Sequence, residues 1–176
     1  FIASFEMGVV MLLAYIALII GSLLPLGERP NSRVWLSLIV GVLVAFFFGS
    51  GPWLVNNWTL ITTVERFADG PTLNNLGVLL GNNVILLPLA ALGLWIAWQD
   101  TANGLRRIAA ICVIWLLLIV DITVVGVIPA LMPFLARVLN IEMVAQVGAI
   151  IPLMMLAGVG VLWRGERIPA AWRSMT

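Results

Sequence analysis

The chain of 176 residues is 62% hydrophobic and only 10% charged, whereas a soluble domain carries roughly a quarter charged residues, so water is not its main solvent. Its net charge is +1, and its nine basic residues, all arginine (Arg29, Arg33, Arg66, Arg106, Arg107, Arg137, Arg164, Arg167, Arg173), leave no broad cationic face for nucleic acid. The absence of histidine and lysine, with Cys112 the single cysteine, excludes histidine-ligated zinc or haem, a Ser-His-Asp triad, a lysine Schiff base, a P-loop and any disulfide within the chain.

The first 26 residues start at Phe1 and lack the basic n-region and small-residue cleavage site of a signal peptide, so the chain reads as a segment of a longer protein. Residues 7–26 form the first apolar run long enough to span a bilayer at 1.5 Å per residue. Glu6 sits just before it, where headgroups and water solvate an interfacial charge. A second span covers residues 34–55. Beyond it, Leu60, Ile61, Val64, Phe67 and Ala68 make an apolar helical stripe beside Thr62, Glu65, Arg66 and Asp69, until Gly70-Pro71 stops the helix. Glu65, Arg66 and Asp69 suit an anionic headgroup or a bound metal, or simply the solvated face of that helix.

The third span is irregular. Its apolar part, residues 84–98, falls short of the roughly 20 residues a span needs, and extension to residues 76–98 takes in the polar turn Gly81-Asn82-Asn83. Three Asn-Asn pairs (Asn56-Asn57, Asn74-Asn75, Asn82-Asn83) collect in this region, as turn and cap residues or as partners for sugar hydroxyls. Asn57-Trp58-Thr59 matches the N-glycosylation pattern but lies too close to the membrane to be read as more than chance.

The fourth span, residues 108–128, holds Cys112, read as a small buried hydrophobe, and Asp121. A carboxylate inside a span costs about 2.5 to 3.5 kcal/mol on insertion scales, so Asp121 must face protein or a cavity. It handles a proton, an ion or a substrate group there, or it makes an interhelical hydrogen bond. In residues 129–143, Leu131, Phe134, Leu135, Val138 and Leu139 share one helical face, with Arg137, Asn140 and Glu142 turned away, which predicts an interfacial helix. The fifth span, residues 144–162, carries Gly158 and Gly160 beside Ala157, small enough for close helix packing. Pro25, Pro52, Pro88 and Pro152 lie in or at the ends of spans, as sources of kinks.

The expected fold is therefore all-α: a single polytopic transmembrane helical bundle of about five spans with short interfacial helices on the outer face. Seven arginines (Arg29, Arg33, Arg106, Arg107, Arg164, Arg167, Arg173) then fall on one side and two (Arg66, Arg137) on the other, which puts the N-terminus outside and the C-terminus in the cytoplasm. Trp35, Trp95, Trp98 and Trp163 mark the inner boundary and Trp53 and Trp58 the outer one.

The stretch Gly51-Pro52-Trp53-Leu54-Val55-Asn56-Asn57-Trp58, a span ending outside in Pro-Trp and then asparagine, resembles polytopic GT-C-type glycosyltransferases and related bacterial inner-membrane proteins. Those often carry arginine before the asparagine, where this chain has Asn56. The proline-containing Ile151-Pro152-Leu153-Met154-Met155-Leu156-Ala157-Gly158 is similar to their late helix ending in small residues. The resemblance implies transfer of a sugar from a polyprenyl-phosphate carrier on the outer face, with the acidic base in a loop preceding Phe1. It implies membrane lipid and the carrier as ligands and admits a divalent metal, although the residues themselves call for no cofactor. Arg66 and Arg137 are the outer donors for the carrier phosphate, with Asn56, Asn57, Glu65 and Asp69 as further candidates. Two other classes fit the same residues: a non-catalytic membrane subunit or scaffold that packs against other membrane chains, and an ion-coupled transporter module built on Asp121 and the broken third span.

The arginine asymmetry makes a direct prediction. Reporter fusions after Arg107 and after Arg173 should read as cytoplasmic and one after Gly70 as external; inversion at any of the three sites removes the five-span topology.

Overall fold

Helices this apolar gain little by exchanging lipid tails for each other, so they associate through close approach and polar contacts. The computed structural model describes residues 2–26, 40, 55–56, 70–99, 105–133 and 139–166, with side chains of 2–7 and 160–166 left aside, and the described residues are all-helical. In chain order they form α1 (Ile2–Leu23), α2 (Leu73–Asn82), α3 (Leu86–Gln99), α4 (Leu105–Val120), a π-helical turn (Asp121–Val125), α5 (Val127–Leu131), α6 (Ile141–Val147) and α7 (Ile150–Glu166).

Among the described residues, two stretches are long and apolar enough to cross a membrane: Leu105–Val125, which is α4 with its π-helical turn, and Ile141–Val159, which is α6 leading into α7. A third exists if α2 and α3 are one broken span, because they meet at 85°. The apolar part of α1, Gly8–Leu23, is shorter. The expected span at 34–55 lies almost wholly outside the described residues.

The helices pack chiefly as two pairs, α1 on α4 and α3 on α7, with α4 also touching α3 and α7. Gly21, near the end of α1, lies against Ile111 in the second turn of α4. The first turn of α4 is joined to the last turn of α3, where Arg106 Nε donates to the Trp98 carbonyl at 2.6 Å. A cation there also meets the negative end of the α3 dipole. Gly148, at the α6–α7 junction, lies near Ile119 at the far end of α4. Thus α1, α3 and α7 run toward the Arg106 end of the bundle and α4 runs back toward Asp121.

Between these helices small residues are buried (Ala17 and Gly21 on α1, Ala90, Gly93 and Ala97 on α3, Ala109, Ala110 and Cys112 on α4, Ala145, Gly148, Ala149 and Ala157 on α6 and α7) beside larger ones such as Leu13, Trp115, Ile119, Ile141 and Leu153. Larger apolar side chains are turned outward, among them Met11, Trp95, Trp98, Leu117 and Met154. Trp95 and Trp98 sit at the Arg106 end of α3, as members of an interfacial aromatic belt would. Close packing was expected at Gly158, but a Cβ added there meets nothing within 4 Å; the close approach between helices is at Gly21, whereas a Cβ at Gly148 would first meet the Val144 carbonyl of its own segment. Gly160 lies outside the described side chains.

Pro88 and Pro152, the irregular turn and the run 129–143 can each be placed. Pro88 and Pro152 each occupy the third position of a helix, where the missing N–H is one of the donors a helix leaves unpaired anyway, and they follow directly on the breaks at 83–85 and 148–149; Pro52 lies outside the described residues. The bend in the third span falls at residues 83–85, within the irregular turn the asparagines announce. The run 129–143 is not one interfacial helix: α5 ends at Leu131, Met132 leaves helical geometry, and α6 starts afresh at Ile141. Leu131 is 77% exposed and Leu139 fully buried, so they do not share a face; residues 134–138 lie outside the described residues.

A methyl group at Gly21 would overlap Ile111 Cγ1. Gly21→Ala should therefore destabilise the detergent-solubilised protein by about 1–3 kcal/mol, as overpacking does. In an Ile111→Ala background the same change should cost far less, because the two sites share one contact. Equal costs in both backgrounds, read from thermal unfolding, would deny the close α1–α4 approach.

Candidate functional site: a polar junction at the end of the bundle

The α-helical ladder of α4 fails where polar residues enter it. Thr123 Oγ1 donates to the Ile119 carbonyl at 2.8 Å, a back-bond to the preceding turn that tends to bend helices. The Asp121 carbonyl then accepts from the Gly126 N–H, five residues on, at 2.6 Å, which makes the turn π-helical. Gly126 closes it with φ 85°, a left-handed conformation that an L side chain adopts only with strain.

Gly126 is also the N-cap of α5 and has no side chain to cap with. Asp121 supplies the cap from seven residues upstream: its Oδ2 accepts the Ile128 N–H at 2.8 Å. The bond is local, a cap within the same chain segment, and not the interhelical hydrogen bond that its sequence position suggested. A carboxylate at a helix N-terminus is favoured both by this bond and by the helix dipole.

The widened turn leaves the Thr123 carbonyl for α2. It accepts the Thr72 N–H at 3.2 Å and Asn75 Nδ2 at 2.9 Å, so both lone pairs are engaged. Pro71 lies so close to Gly126 that an added Cβ would stand 3.0 and 3.2 Å from its ring carbons. Asn75 and Thr123 are both buried. α2 continues across α6, whose start is set by Asn140: its Oδ1 accepts the Met143 N–H at 3.0 Å. Glu142, in the first turn of α6, accepts from Gln146 Nε2 at 3.2 Å.

At the other end of α2, Asn83 forms the corner with α3. Its N–H donates to the Leu80 carbonyl at 3.2 Å and its Nδ2 to the Leu79 carbonyl at 2.8 Å, which covers the end of α2. Its Oδ1 is buried without a partner, as is Nε1 of Trp115 in the core face of α4.

Of the residues singled out from sequence, the junction contains Asp121, Asn75 and, at its edge, Asn83. Asn74 and Asn82 are exposed, and Asn56 is exposed in a short helical piece. Arg66, Arg137, Asn57, Glu65 and Asp69 lie outside the described residues. Thr72, Thr123 and Gly126 were not anticipated. Their signal was local: a Thr two residues after an intramembrane Asp, then a Gly and a Pro, all within one apolar run. Among the described residues no three His, Cys, Asp or Glu side chains gather as a metal site.

Chemically, the junction holds backbone together. Asp121→Asn keeps an acceptor for Ile128 and should leave stability within about 1 kcal/mol, whereas Asp121→Leu orphans a backbone donor and should cost about 1–3 kcal/mol. The comparison is made by thermal unfolding in one detergent; a leucine variant as stable as wild type would show that the cap is unimportant. Comparison with protein families, with curated proteins and with solved structures finds no match to this chain.

Proposed function

We propose that this chain is the scaffold portion of a multi-pass cell-membrane protein: five spans, N-terminus outside and C-terminus in the cytoplasm, packed against other membrane chains and lipid. The observation that carries the scaffold reading is the engagement of the polar groups at the Asp121 end. Asp121, Thr123, Asn75 and Asn140 each hold a backbone group, and a residue so used is poorly placed to serve as base, nucleophile or ion ligand. Ion-coupled transport, which the bent third span otherwise favours, gains nothing from a carboxylate held as a helix cap.

The five-span topology draws support from the helix directions. α1 and α3 both run toward the Arg106 end, so the chain between them has to return across the bundle, and residues 34–55 are the apolar run available for the return.

A second reading, a wall of a GT-C-like enzyme that handles a polyprenyl-phosphate-linked sugar, is favoured by one placement. Arg66 stands four residues before Gly70 and Arg137 two before Leu139, so the two lone outer arginines flank in sequence the segments that build the junction. A carrier phosphate bonded by either would gain about 1.5–3 kcal/mol.

The test measures binding of a short-chain polyprenyl-phosphate to the full-length protein in nanodiscs, for wild type, Arg66→Gln, Arg137→Gln and, as control, Arg173→Gln. The scaffold reading expects no saturable binding. Saturable binding that falls roughly ten- to a hundredfold with Arg66→Gln or Arg137→Gln alone would replace it with the carrier-lipid reading.

A further inference from the structure

A π-helical turn is a weak point in a span, and here the same five residues hold elements on two sides. The Thr123 carbonyl holds α2 through Thr72 and Asn75, and the Asp121 carbonyl and carboxylate hold Gly126 and α5. Both attachments depend on the widened register: in a regular α-helix the Asp121 carbonyl would take the N–H four residues on, and Thr123 would lose the opening through which α2 reaches it.

α2 itself is built to be held from outside. It is a short helix of 10 residues with glycines at 77 and 81, both exposed and with open space around them, and its N-cap Thr72 makes no side-chain cap bond. Such a helix is marginal by itself. It joins α3 through a turn at residues 83–85 with an 85° change of direction. It covers apolar side chains, since Leu79 is buried within the core that includes Ile122, Ile141 and Val144.

We propose that α2 is a latch coupled to the π-helical turn: docked, it keeps residues 121–125 in the π register and α5 capped by Asp121; released about the turn at 83–85, it lets that register relax and uncovers the apolar face of the π-helical turn and α6. The coupling is reciprocal, as linkage requires, so weakening either attachment loosens the other. This goes beyond the scaffold reading and does not depend on which ligand, if any, the protein handles.

The test uses Leu79→Cys in the full chain, with native Cys112 retained. Cys112 is buried in the core face of α4 and reports the integrity of the bundle. Maleimide labelling is resolved by residue with mass spectrometry, and hydrogen exchange is followed in peptides covering residues 121–131. The docked protein should label slowly at both cysteines. Adding Asn75→Leu, which removes the side-chain donor, should raise labelling at position 79 at least tenfold while Cys112 stays protected, and should speed exchange at the Ile128 amide, whose hydrogen bond goes to Asp121 and not to α2. Gly126→Ala, acting from the other side through the strained left-handed position, should also expose position 79.

Three outcomes overturn the proposal. Labelling at position 79 with unchanged exchange at Ile128 means that α2 moves without the π-helical turn. Simultaneous labelling of Cys112 means that α2 is an integral part of the bundle. No increase in labelling with either variant means that these bonds do not hold α2.

Discussion

The arrangement turns on a single backbone oxygen. In a regular helix the Thr123 carbonyl would be closed inside its own ladder; because the register widens at Asp121 and the chain reverses at Gly126, it takes two donors from α2. An amide carbonyl in a bilayer-like interior has no water to fall back on, so leaving it unmet costs several kcal/mol. That cost ties a helix distant in sequence to the middle of the chain, and with it the direction in which α3 departs and the surface on which α6 rests. Asp121, the most expensive side chain in the run, serves the same discontinuity from the other side by capping the helix that follows.

Packing elsewhere follows from the solvent. Alanines and glycines line the contacts of α1 with α4 and of α3 with α7, and bulky apolar residues project from the bundle. In water such an arrangement would aggregate; in lipid it is favourable, because tails solvate Leu and Met as well as a protein core does, and only backbone proximity yields added dispersion. The tie between Arg106 and the Trp98 carbonyl closes the α3–α4 hairpin with a charged group at one end of the bundle, beside two exposed tryptophans.

The helical class was legible from composition and run length alone, and so were the polar corner near Asn83 and the burial of Cys112. What escaped is instructive about lipid-soluble sequences. A run such as residues 108–128 has a uniform hydropathy that hides where a helix changes register, since the change depends on hydroxyl and carboxylate bonds to backbone and not on apolar periodicity. Proline is ambiguous for a related reason. Its meaning depends on whether it falls in the first turn or later, and helix starts are difficult to place inside an apolar run. The buried half of each Asn pair, Asn75 and Asn83 against exposed Asn74 and Asn82, is set by a tertiary contact in one case and a bend in the other, neither of which has a signature in the pair itself. The arginines and acids of the expected lipid-facing site lie in segments outside the described residues, so their role rests on sequence.

The close approach of α1 to α4 at Gly21 has a consequence for how substitutions accumulate. In a water-soluble domain the large buried hydrophobes are the intolerant positions and small surface residues drift. Here the outward large residues Leu117, Met11 and Met154 can exchange freely among apolar types, while a gain of one methyl at Gly21 meets Ile111 of the neighbouring α4. A family descended from this chain would thus keep a glycine at position 21 as faithfully as its buried isoleucines and leucines, while its lipid-facing hydrophobes drift.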